Sequence, residues 1–129
     1  MITFDVHCWR RPGPFVAGVL VIAAGLYAYR ILARCGPLAA LVEPAASHHE
    51  RLDGSGYHRS LPAEAQSREA RLLGAADVLA ALTADRPHRS ALAGDDAARA
   101  LEGTAGLDPD AVACVLAATG RRKIPGRPA

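Results

Sequence analysis

The chain has 129 residues, enough for a single domain. Half of it is apolar and only 5% is aromatic, a balance that favours helices over an aromatic-rich β-sandwich. Fifteen Lys and Arg against 13 Asp and Glu leave a net charge of +2, so no nucleic-acid partner is expected. The three cysteines, Cys8, Cys35 and Cys114, form no C-x-x-C pair, which indicates neither a disulfide framework nor a cysteine zinc knuckle. A reducing cytoplasm fits this usage.

Two zones follow one another. In residues 1–29, Phe15 to Tyr29 is an uncharged run of 15 residues between Arg10, Arg11 and Arg30. That is shorter than the roughly 20 residues of a membrane helix. Snorkelling of Arg30 and continuation to Ala33 would lengthen it, so 15–33 reads either as a buried apolar helix or as a short inner-membrane anchor. No cleavage site of the secretory kind follows it.

From residue 30 onward the pattern is of helices joined by short loops. Pro37 suits a first helical position, with Leu38, Leu41 and Val42 on one face, and Pro44 should kink or restart that helix. Gly54, Gly56 and Pro62 mark residues 50–62 as a loop. Ser67 to Thr83 is the clearest helix, with Ser67 as N-cap and Leu72, Ala76, Leu79 and Leu82 at helical spacing. Asp85-Arg86-Pro87 ends it. Asp95 suits the cap of a short helix to Leu101. Asp108-Pro109-Asp110 starts a last helix that runs to Thr119 with Gly120 at its end, and residues 120–129 read as a disordered tail.

The chemistry concentrates at His48 and His49, adjacent at the end of an apolar helix. Neighbours on a helix diverge by about 100°, so both rings reach one centre only near a helix end. Neutral imidazoles ligate iron, manganese or zinc, and an exposed surface pair is the plain alternative. Asp77 has apolar helical neighbours in Leu73, Ala80 and Ala81. A carboxylate on such a face requires a metal, a salt bridge to Arg71 or Arg86, or exposure on a weakly amphipathic helix.

The stretch His48-His49-Glu50-Arg51-Leu52-Asp53-Gly54-Ser55-Gly56-Tyr57 resembles the HD-GYP signature H-H-E-x-x-D-G-x-G-Y-P. Ala70-Arg71-Leu72-Leu73, Ala76-Asp77-Val78, Ala81-Leu82-Thr83, Asp85-Arg86-Pro87-His88-Arg89 and Leu107-Asp108-Pro109 resemble the family's later motifs in order. The likeness covers residues 30–119 and is similar to the C-terminal half of the domain, in the actinobacterial form that precedes a LuxR-type DNA-binding domain. It implies an all-α fold: a partial HD-type helical bundle preceded by an apolar N-terminal helix.

The resemblance further implies a metal-dependent cyclic di-GMP phosphodiesterase. His48, His49 and Asp77 would be ligands of iron, manganese or zinc, and Arg86 and Arg89 would face substrate phosphates. Glu50, Asp53, Gly54, Gly56 and Tyr57 would form the signature loop. Two features depart from the family: His58 stands at the motif proline, and no His-Asp dipeptide occurs in the sequence. These departures imply a truncated domain of impaired activity, with an altered gene start in residues 1–29. The alternatives are a regulatory or binding remnant, completed by a second copy or by an upstream half-domain, and a small membrane-anchored protein.

Overall fold

The computed structural model describes residues 27–56, 59–86 and 89–121. Most of the apolar run 15–33, the tail beyond residue 121, and Tyr57, His58, Pro87 and His88 lie outside these residues. Among the described residues the secondary structure is helical and no strand forms. Residues 27–32 are helical, and a 3-10 turn spans Gly36–Leu41. The helices that follow are α1 (Val42–Ser47), α2 (Arg68–Thr83), α3 (Gly94–Glu102) and α4 (Pro109–Ala118), with a second 3-10 turn at Ala63–Ala65. No helix among the described residues is long and apolar enough to cross a membrane.

Helix starts follow local chemistry. Pro37 opens the first 3-10 turn, and the chain restarts as α1 at Val42, just before Pro44. The Ser67 hydroxyl accepts from the Ala70 amide at the head of α2 and donates to the Glu43 carboxylate, tying α1 to that cap. Asp108 caps α4 by accepting from the amides of Asp110 at 2.8 Å and Ala111 at 3.3 Å. Helix α3 begins at Gly94 after Ala93, so Asp95 is not its cap. Asp95 and Asp96 lie in the first turn instead, where they meet the positive end of the helix.

Helix α2 is the centre of the structure, packing against α1, α3 and α4. The core is Ala75 and Leu79 of α2, Ala97, Ala98 and Leu101 of α3, and Ala111, Val112, Val115 and Leu116 of α4. Ala70, Gly74, Ala75 and Leu79 are the buried residues of α2. Leu72 is 43% exposed and Leu73 is 42% exposed, so the buried face is rotated away from the one the leucine spacing suggested. Small residues turn inward because α1, α3 and α4 all approach α2 closely, and alanine and glycine permit that approach.

Candidate metal centre

The site is built where α1 ends against α2. His48 follows the last residue of α1 and His49 lies beyond it. His48 keeps helical backbone angles as the C-cap, His49 is the first residue past it, and their ring centroids are 4.0 Å apart. The His48 Nδ1 is 2.8 Å from the Ala45 carbonyl oxygen. A carbonyl only accepts, so Nδ1 carries the proton and Nε2 of the neutral ring keeps its lone pair.

Gly74 explains how α1 reaches α2. A Cβ at this position would lie 2.5 Å from the His48 carbonyl oxygen. One turn further along the same face, Asp77 meets the second imidazole, with its Oδ2 at 4.0 Å from His49 Nδ1. One donor atom from each of His48, His49 and Asp77 lies within 4.8 Å of the others.

Burial and the adjacent His48 hold the His49 imidazole below its ordinary 6.5, while Asp77 pulls the other way. The neutral ring is thereby favoured, and at 4.0 Å the Asp77 carboxylate stands beyond hydrogen-bond distance of Nδ1. The Asp77 side chain is 50% exposed. Asp77 therefore lies on an open face of α2, beside exposed Leu73 and Ala80, and is not forced into an apolar interior.

Two nitrogens and one carboxylate oxygen form a donor set suited to a borderline divalent ion. Ligand bonds near 2.1 Å require donors about 3 Å apart, so the set must draw in, and the half-exposed Asp77 is free to do so. Nothing else in the described residues forms such a cluster.

The loop after the histidines is a built structure. The buried Glu50 carboxylate accepts from the amides of Arg59 at 2.8 Å and Leu61 at 2.9 Å. Asp53 accepts from the amide and hydroxyl of Ser55, bonds that lower its carboxyl below the usual range. Leu52 donates to the Gly106 carbonyl at 2.8 Å, docking the loop on the α3–α4 connection.

The two arginines have different surroundings. Arg86 is exposed and its backbone pairs with that of Arg89. The Arg89 guanidinium donates to the Leu82 carbonyl at 3.0 Å and the Ala81 carbonyl at 2.6 Å, capping the end of α2. Those carbonyls lie about 6 Å or more along the helix axis from Asp77. Arg71, one of the salt-bridge partners weighed for Asp77, pairs instead with Asp108 at 2.9 Å.

The profile of the HD domain family matches residues 25–111. The chain belongs to the HD domain family. This HD domain is 35% identical over 97 residues to the 3'3'-cGAMP-specific phosphodiesterase 3 of Vibrio cholerae, an alignment covering 74% of the chain and 21% of that protein. It is 50% identical over 50 residues to the 3'3'-cGAMP-specific phosphodiesterase 1 of the same organism, covering 39% of the chain and 12% of the relative. It is also 43% identical over 74 residues to the cyclic di-GMP phosphodiesterase response regulator RpfG of Xanthomonas campestris, covering 56% and 20%. The HD domain described here thus spans about a fifth or less of each relative.

Sequence reasoning singled out the three donor residues but not the parts that hold them. Gly74 had a readable signal, because a glycine inside a helix costs about 1 kcal/mol and signals a close approach. The partners of Glu50 lie nine and eleven residues away in a loop, with no periodicity to reveal them.

Proposed function

We propose that this chain carries part of the metal centre of an HD-GYP-type phosphodiester hydrolase. His48, His49 and Asp77 would hold a divalent iron, manganese or zinc ion, and the substrate class would be a cyclic dinucleotide. The convergence of two imidazoles and a carboxylate, with donor atoms within 4.8 Å, is the observation that carries this reading. The names of the relatives, phosphodiesterases for 3'3'-cGAMP and cyclic di-GMP, support the substrate class. So do the motifs HHExxDGxGY and DRPHR in this sequence.

A bound divalent ion supplies an activated water and neutralises charge developing on the phosphoryl oxygens. The residues of this chain have separate tasks. His48, proton-bearing on Nδ1, presents Nε2, and the uncharged His49 presents a ring nitrogen without first losing a proton. Asp77 supplies the negative charge of the set. Exposed Arg86 would offer its guanidinium to a phosphate, and Arg89 would do so only by leaving the carbonyls of Ala81 and Leu82. The loop from Glu50 through Asp53, Gly54 and Gly56 would form the rim; Tyr57 of the same motif lies outside the described residues.

The sequence holds no His-Asp dipeptide, which favours binding over turnover in this chain. Three protein ligands serve one ion with open positions, and a second, bridged ion would need groups from a second copy or another half-domain. Residues 30–119 would form the domain proper, with 1–29 and 120–129 as flanking segments. Equilibrium binding of cyclic di-GMP with and without Mn(II) tests the reading. It predicts metal-dependent binding with weak turnover, lost in His49→Ala. Binding indifferent to both metal and His49 would overturn it.

A further inference from the structure

We propose that Glu50 is the positioning residue of the imidazole pair, fixing through its buried carboxylate the backbone from which His48 and His49 project. The inference rests on the reading of that pair as metal ligands. His48 is the C-cap of α1, with helical angles of φ −66° and ψ −15°, and His49 lies beyond it, so the pair stands where the helix gives way to the loop. The residue that follows them is 5% exposed, and its amide donates to the Ser47 carbonyl at 2.9 Å. Its Oε1 accepts from the Arg59 amide and its Oε2 from the Leu61 amide.

Between these donors, Ser60 is held at φ 48°, the left-handed region that a side chain disfavours. Two amides flanking a left-handed residue and converging on one anion form a small concave nest, occupied here by the chain's own carboxylate. Gln66, also buried, donates its Nε2 to the carbonyls of Arg51 at 2.9 Å and Leu61 at 2.8 Å. The backbone at Gly56 lies against Glu50, where a Cβ would come within 2.4 Å of the Glu50 Cα. These contacts tie the residues just after α1 to residues 59–66, which lead into α2, the helix that bears Asp77.

The isosteric Glu50→Gln tests this, because an amide offers one oxygen and sets an N–H group against the other loop amide. Val115→Ala, a core change in α4, serves as the control for general loss of stability. Mn(II) affinity of the full chain is expected to fall about tenfold or more in Glu50→Gln and to stay at the wild-type value in Val115→Ala. Unchanged affinity in Glu50→Gln overturns the inference. Should Glu50→Gln not fold, adding Ser60→Gly removes the left-handed demand, and the double variant is expected to fold without regaining affinity. Full affinity in that variant also overturns it. In metal-free protein, the ring-proton resonances of His48 and His49, whose rings are tilted by 40° at 4.0 Å, are expected to shift in Glu50→Gln as that fixed pairing is lost, and resonances left unchanged contradict the role. Should the wild-type chain bind no Mn(II) while Glu50→Gln still changes these resonances, the metal reading alone is refuted.

Discussion

Asp108 joins two structural tasks in one carboxylate. It caps α4 through two amides and receives the Arg71 guanidinium, whose hydrogen bond is the largest cause holding its carboxyl below the ordinary 3.8. A carboxyl lowered in the folded state stabilises fully above its unfolded value, and that contribution fades as the pH falls through the folded value. Asp108→Asn keeps a capping oxygen but removes the charge. We expect a loss of about 1 kcal/mol or less near pH 7, since water reaches Arg71, and a smaller difference below about pH 4. Urea unfolding of both proteins across pH 3–7 measures this; an undiminished difference at the acid end would contradict it.

At the scale of elements, the decisive contact is between the end of α1 and the middle of α2. Alanine is the better helix former by about 1 kcal/mol, so Gly74→Ala would stabilise an isolated α2. Here the new methyl meets the His48 carbonyl oxygen, and one helix must move. We expect net destabilisation of about 1–3 kcal/mol, seen as a lower melting temperature, with weaker metal binding as the imidazoles draw back from Asp77. A variant as stable as the parent, with metal binding intact, would show that the contact is not tight. The caps of α2 and α4 were legible because Ser67 and Asp108 act on amides two or three residues away. The buried face of α2 was not, because leucine spacing alone does not reveal where three neighbouring helices converge. The start of α3 was misplaced for a related reason: an aspartate in the first turn and one at the cap both favour the same helix end.

Across the whole molecule, residues 29 positions apart in sequence meet at one place: His48 leaves α1, and Asp77 projects from α2. The motifs named these residues, but only the packing of α1 on Gly74 sets them within reach of one another. The loop contacts of Glu50 and Gln66 and the docking of Leu52 on Gly106 depend on long-range hydrogen bonds, and so escaped the sequence pattern. The central claim is that His48, His49 and Asp77 share one cation. X-ray absorption of the zinc-loaded chain tests this most directly, because imidazole rings give a distinct outer-shell scattering pattern. The account predicts two imidazoles around zinc, falling to one in His49→Ala. A spectrum without imidazole scattering, or one that His49→Ala leaves unchanged, would contradict it.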